Sequence, residues 1–320
     1  MGNITITSSS MGTLQACAEN YRLRYIVGLE ATDKPRTLLI GSVFHDAVEV
    51  FRKGGTFFDM IDVVGRATEL SPDDVCVLTA MIEAYHQKYR REAGNFTEVE
   101  MEFYYDGLGM RDVVLAGKTD AIAKATPGHL LYETKTVARI DGGYLDRLWS
   151  ARQTLIYNRV LNEMGYDIQG VMYDLVGKPT IKRLLATPAE KRRYTKDKDT
   201  GQMRLHAKQR DRDESDNEFM GRLREWYQRH PEALHRELII YTPDQLDAIE
   251  QDVKNEVKRL QWHIQSGVWP RSLSSCHRFN RPCEFSPLCS SGGNPVVLET
   301  KYQRRDKIHS ELEGRREEDK

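Results

Sequence analysis

Residues 117–135 read GKTDAIAKATPGHLLYETK, and the rest of the chain is best read outward from them. Residues 113–123 mix apolar and polar side chains with little helical periodicity, Thr126-Pro127-Gly128 has the composition of a turn, and residues 130–135 resume as a β-like run. The pattern predicts a short hairpin. Glu133 and Lys135 are two apart, so on a strand they share a face. If Asp120 on the partner strand reaches that face, two carboxylates and one ammonium gather in a small volume. Such a volume suits a hard divalent cation: Mg²⁺ and Mn²⁺ prefer carboxylate and water oxygens, and metal-bound water is a far better nucleophile near neutral pH. The competing reading is a surface hairpin with a Glu/Lys pair across one face.

At 320 residues the chain can bury a large core, as one large domain or two smaller ones. Charged residues make up 30% of it, yet the formal net charge is −1. That balance gives no global nucleic-acid signature, so a DNA-binding surface has to come from local clusters of Lys and Arg. No apolar stretch is long enough to cross a membrane. The opening MGNITITSSSMGTLQAC lacks the basic start and apolar run of a secretory signal. We therefore expect a cytoplasmic, reducing environment, in which the five cysteines act as metal ligands or buried thiols rather than disulfides.

Residues 8–26 predict a Ser-capped helix with Leu14, Cys17, Tyr21 and Tyr25 at helical spacing, which makes Cys17 a small core residue or a ligand with distant partners. A second helix, from about 42 to 53, has a broad apolar face with His45 at its border and Glu49 one turn on. A third covers 72–91, with Cys76 beside its stripe as an inert buried thiol. Residues 97–105 alternate as a half-buried strand and, with the hairpin, predict three antiparallel strands. A helix over 144–164 places Gln153 and Tyr157 on one face, where an amide and a phenol could grip a phosphate or a base. A strand at 168–176 completes an α-β-β-β-α-β core of mixed α/β (α+β) class. Residues 189–218 are densely charged and predict a solvated insertion; its cations could track a nucleic-acid backbone, although acids are interleaved. Thr242-Pro243 caps a long helix to about 266, and residues 301–320 read as a disordered or frayed charged tail.

Residues 276–289, CHRFNRPCEFSPLC, hold Cys276, Cys283 and Cys289 without helical or strand periodicity, and metal ligation accounts for them better than packing. A tetrahedral thiolate site wants a fourth ligand, for which Cys17, Cys76 and, as an outside candidate, His277 are available.

The D…ExK arrangement of Asp120, Glu133 and Lys135 resembles the PD-(D/E)xK nuclease superfamily. Gly41-x-x-x-His45 ahead of it and Gln153-x-x-x-Tyr157 behind it resemble the RecB-like branch, and one early cysteine joined by a late trio resembles the Cas4/AddB kind. The resemblance spans almost the whole chain. It implies a restriction-endonuclease-like core with added helices, cleaving DNA from single-stranded ends in recombination, repair or CRISPR-type processing. It further implies Mg²⁺ or Mn²⁺ on His45, Asp120 and Glu133, with Lys135 orienting the attacking water and Gln153 and Tyr157 positioning the strand. Cys17, Cys276, Cys283 and Cys289 would then hold a [4Fe–4S] cluster that clasps the two ends of the domain, with Zn²⁺ as the runner-up. The first gap of the late trio is wider than the family's commoner C-x-x-C start. Residues 1–300 would form one nuclease domain: a helical part (1–95) with Cys17 and His45, a catalytic core (96–180), the insertion (189–218) and a helical, cysteine-bearing part (219–300), ahead of the tail. The alternative is a catalytically silent DNA-binding subunit of a recombination or adaptation complex. A helicase-type P-loop is absent from the sequence, so unwinding would need a partner, and self-association is compatible with either reading.

Overall fold

A computed structural model gives the fold and describes residues 4–32, 36–196, 201–278 and 281–312. Its centre is a five-stranded sheet in the order Leu234–Ile239, Ile168–Gly177, His129–Val137, Ala121–Lys124, Glu98–Val99. Only the pair His129–Val137 and Ile168–Gly177 is parallel. A parallel pair needs a crossover, and the helix Arg152–Glu163 supplies it.

Alternation along His129–Val137 sends Leu131 and Glu133 to one face and Tyr132 and Thr134 to the other. On the first face Leu131, Ile156, Tyr157, Leu161, Val171 and Tyr173 form a core that extends to Val253 and Val257 of the helix Pro243–Ser266. A second core lies among the helices Arg36–Arg52, Phe57–Arg66, Pro72–Tyr89 and Asp216–Arg229, built on Phe44, Phe51, Met81, Tyr85 and Phe219.

The three antiparallel strands expected between 97 and 135 are split between two sheets. Glu102–Tyr105 and Val113–Lys118 pair with each other, and Ile4–Ile6 adds in parallel, forming a separate three-stranded sheet. Both chains change sheet at the same level: Glu100 takes φ +54°, its N–H reaches the Asp120 carbonyl at 3.2 Å, and Thr119 N–H reaches the Met101 carbonyl at 2.9 Å. Asp120 therefore sits at a bend, where irregular pairing re-aims a side chain.

Other boundaries shift for local reasons. The helix expected over 8–26 breaks at Cys17 (φ −166°, ψ 119°) into Ser8–Ala16, Ala18–Tyr21 and a π-turn Arg22–Ile26, because Pro270 accepts Glu19 N–H at 3.3 Å. The histidine helix starts at Arg36, earlier than expected, with Leu39 and Ile40 already packed on the core. The helix expected over 144–164 is regular only from Arg152. Part of the charged insertion is ordered as a ribbon, Tyr194–Lys196 against Met203–Leu205. The tail is not wholly frayed either: Tyr302–Arg304 pairs with Leu29–Ala31, Thr7 Oγ1 donates to Glu311 Oε1 at 2.7 Å, and Leu312 is buried. Its remainder from 313 lies outside the described residues.

Candidate active site

The bend at Asp120 aims its carboxylate at the centre of the sheet, where Thr134 N–H donates to Oδ2 at 2.7 Å. His45 Nδ1 lies 3.6 Å from the same oxygen. The helix that carries His45 approaches the catalytic strand closely because Gly41 faces it: a Cβ there would stand 3.4 Å from Thr136 Oγ1. On the next residue pair, Lys135 Nζ contacts Glu133 Oε1, and Gln153 Nε2 donates to Glu133 Oε2 at 3.3 Å. The structure thus brings His45, Asp120, Glu133, Lys135 and Gln153 near one another from four separate segments.

Tyr157 stands one step behind. It is 5% exposed, its hydroxyl accepts Lys118 N–H at 3.4 Å, and its ring meets Phe103 edge-on at 5.0 Å. Gly117 makes room, since a Cβ there would fall 2.7 Å from the Tyr157 ring and 2.6 Å from that of Phe103. Gln153 and Tyr157 do share a helix face, but both turn to protein groups, Glu133 and the Lys118 backbone, in place of the open phosphate or base grip expected of the pair.

Burial sets the electrostatics. Glu133 is 1% exposed, and its carboxyl is pushed up to about 7, first by burial and then by the charge of Asp120, with Lys135 opposing. Burial lowers the His45 pKa, so a neutral imidazole faces Asp120 near pH 7. For Lys135 burial works against the ammonium, but Glu133 and Asp120 outweigh it and hold the pKa above its ordinary value. Two carboxyl groups thus face one lysine, and loss of the Glu133 proton adds negative charge at the centre.

That donor set, two carboxylates and a neutral imidazole, fits a hard divalent cation. Among the described residues no group of three His, Cys, Asp or Glu is already placed to hold a metal ion; Glu133 is engaged by Lys135 and Gln153.

The raised Glu133 pKa has a stability consequence. In the unfolded chain the carboxyl loses its proton near 4.5 and in the fold near 7, so raising pH through that window removes stability. Glu133→Gln is expected to raise metal-free stability at pH 8 by on the order of 1–3 kcal/mol and to lose that advantage near pH 4.5. Thermal unfolding at the two pH values checks it; equal shifts at both would contradict the assignment.

Sequence reasoning missed the residues that hold this centre from behind. On the opposite face of the sheet Arg52 Nη2 donates to Thr134 Oγ1 at 2.7 Å, and Arg52 lies 3.6 Å from Asp174. Asp174 also accepts from Tyr85 Oη at 2.5 Å and Arg236 Nε at 3.3 Å. Lys118 pairs with Glu100 at 2.7 Å beside the bend. A lone Asp within an apolar strand, Asp174 in VMYDLVG, was the available signal.

At the other end of the chain Cys17, Cys276, Cys283 and Cys289 all line one cavity of about 200 Å³. The wide first gap of the late trio is taken up by a small hairpin, His277–Arg278 against Arg281–Pro282, closed by Cys283 N–H on the Cys276 carbonyl at 2.7 Å. Two sulfurs accept polar hydrogens: Cys17 from Ser272 N–H at 3.4 Å and Cys283 from Asn20 Nδ2 at 3.3 Å. Burial raises the Cys283 and Cys289 thiols, and nearby Cys17 adds to both. The four thiols share the cavity wall, but among the described residues they are not gathered closely enough to form a ready-made metal-binding group. Cys76 lies elsewhere, buried in the helical core with Arg183 Nη2 3.7 Å from its sulfur.

The chain matches a family model described as the PD-(D/E)XK nuclease superfamily over residues 5–290. No curated protein matches it. The solved structure "Crystal structure of SSO0001" is similar at 13% identity over 58% of this chain and 70% of that one, with a TM-score of 0.23, which adds nothing to the assignment. The family match takes in the bend at Asp120, the Glu133-Thr134-Lys135 strand and the histidine helix together, and the chain belongs to the PD-(D/E)XK nuclease superfamily.

Proposed function

We propose that the protein is a metal-dependent DNA exonuclease that hydrolyses phosphodiester bonds from single-stranded ends. The observation that carries this reading is the placing of two adjacent pairs, His45 with Asp120 and Lys135 with Glu133, the latter backed by Gln153. Mg²⁺ or Mn²⁺ held by His45, Asp120 and Glu133 would stabilise phosphate charge and acidify a water. The protein's own contributions are positional. Thr134 N–H fixes the Asp120 carboxylate, and the lowered pKa of His45 leaves its ring a neutral donor. Lys135 keeps its proton, so it can orient the attacking water and meet the charge that builds on the phosphate oxygens. Gln153 holds Glu133, and Tyr157 braces the backbone beside Asp120.

For the thiol centre we infer a structural [4Fe–4S] cluster on Cys17, Cys276, Cys283 and Cys289, as in nucleases of the Cas4/AddB kind. What supports a shared centre is that all four thiols line one cavity; a single Zn²⁺ would draw the four sulfurs to about 2.3 Å. Anaerobically purified protein is expected to be brown, absorbing near ~400 nm. Cys283→Ser should lose the band and much of the thermal stability, because ligation energy is folding energy, and Cys76→Ser should keep both. Colourless protein with one zinc per chain would replace the cluster with the runner-up.

We place the protein in the cytoplasm, in recombination, repair or CRISPR-type DNA processing, with unwinding left to a helicase partner and self-association open. The test is digestion of 5′- and 3′-labelled linear single strands beside a circular single strand. Loss of the linear substrates alone supports an exonuclease, and the label released first gives polarity. Cutting of the circle would make it an endonuclease; cleavage of neither by folded, metal-supplied protein would favour a silent DNA-binding subunit.

A further inference from the structure

Between the catalytic sheet and the helix Asp216–Arg229, the segment 189–212 carries nine Lys and Arg against four Asp and Glu, in a chain whose overall charge is −1. At least three of these cations serve the fold. Arg192 is tied to the Thr187 and Asp211 carbonyls at 2.9 Å each, and Arg210 and Arg212 reach Glu218 at 3.4 and 2.8 Å. They anchor the base. Beyond it the chain forms a two-stranded ribbon in which Tyr194 faces Leu205, Thr195 faces Arg204 and Lys196 faces Met203. His206 N–H on the Arg193 carbonyl at 2.9 Å extends the ladder by one step.

Residues opposite one another in an antiparallel pair share a face. One face of the ribbon therefore carries Arg193, Thr195, Arg204 and His206, all exposed, and the other Tyr194, Lys196, Met203 and Leu205. Tyr194 is 55% exposed and Met203 62%. Among the described residues none of 189–212 belongs to a core cluster, so packing does not account for an aromatic ring there.

We propose that this ribbon is a binding arm for single-stranded DNA, in which Arg193 and Arg204 take backbone phosphates on one face, while on the other Tyr194 stacks a base and Lys196 takes the phosphate beside it. The arm's local excess of positive charge complements phosphate. Single-strandedness follows from the two faces: only a strand whose bases are free to turn out can lay its phosphates along the basic face and fold a base over the edge onto Tyr194. The inference rests on the DNA substrate proposed above and adds a site distinct from the His45–Lys135 centre.

The test measures affinity for a labelled single strand against salt, on full-length protein with Lys135→Ala to prevent digestion. Adding Arg193→Gln, Lys196→Gln and Arg204→Gln together should flatten the slope of log K against log salt by about 2, at about 0.7 per lost phosphate contact. Affinity near physiological salt should fall at least ~10-fold. Tyr194→Ala should weaken single-strand binding by about 5-fold or more and leave duplex binding unchanged. With Lys135 restored, the triple substitution should raise KM and spare kcat. An unchanged slope and affinity, a loss confined to kcat, or duplex bound as tightly as single strand would each overturn the arm while leaving the nuclease reading in place. Wild-type protein that neither binds nor cleaves DNA would remove both, and that result is visible before any arm variant is made.

Discussion

Lys135→Ala is expected to slow DNA hydrolysis by about 10³-fold or more while leaving the fold and DNA affinity close to wild type. The ammonium is the one cation that contacts Glu133 from within the centre, and it stays protonated across the working pH range. Its role is tied to charge that grows as the phosphate is attacked, so the loss should fall on kcat rather than KM. Lys135→Arg should not restore the rate, because a planar, forked guanidinium cannot replace a compact ammonium beside a carboxylate that is 1% exposed. Single-turnover cleavage, paired with thermal unfolding, separates this from a folding defect. A variant that retains a tenth of the wild-type rate would remove Lys135 from the chemistry.

The largest stability effect is expected on the opposite face of the sheet, at Asp174 on the neighbouring strand Ile168–Gly177. Asp174→Ala should cost about 3–5 kcal/mol, because it strands a buried charge instead of merely deleting a contact. Asp174 is fully buried, and Arg52 is 2% exposed at its side chain. Tyr85 and Arg236 also converge on this carboxylate, and Arg236 is held in turn by Glu92 at 2.7 Å and lies over the Tyr89 ring at 3.8 Å. Arg52 Nε already has no hydrogen-bond partner among the described residues, so losing Asp174 would leave this guanidinium with still less to offset its burial. An exposed pair provides the contrast: Arg229 with Glu225 lies on the surface, and Glu225→Ala should cost well under about 1 kcal/mol. Urea unfolding of the two variants checks the difference, and similar small losses would show that the buried network is not structural. Arg52 also bonds Thr134, between Glu133 and Lys135, so a weakened network should blur the centre before the whole fold is lost.

Much of this arrangement was legible in residue order. Glu133 and Lys135 share a strand face by simple alternation, the helix after Thr242-Pro243 runs to Ser266 as its single stripe foretold, and the late cysteines stood out because no periodicity explained them. What the chain hid was mostly non-local. Nothing around Glu100 and Thr119 announces that two strands change sheet together, because that bend is made by the pairing of one chain with the other. Leu234–Ile239 carries His, Arg and Glu and falls in the part expected to be helical, yet it is a strand whose Arg236 reaches buried Asp174. The break at Cys17 depends on Pro270, far along the chain, and Tyr302–Arg304 gains its partner only from Leu29–Ala31. The Gln153–Tyr157 spacing was visible, but the inward direction of both side chains was set by Glu133 and Gly117.

The account stands most directly on Mn²⁺ binding at the catalytic centre, titrated by electron paramagnetic resonance in wild type, His45→Ala, Asp120→Ala and Cys17→Ser at pH 8 with no DNA present. We expect tight Mn²⁺ binding in wild type, weakened at least ~10-fold in His45→Ala and Asp120→Ala and unchanged in Cys17→Ser. Equal Mn²⁺ affinity in all four proteins would contradict a metal centre on His45, Asp120 and Glu133.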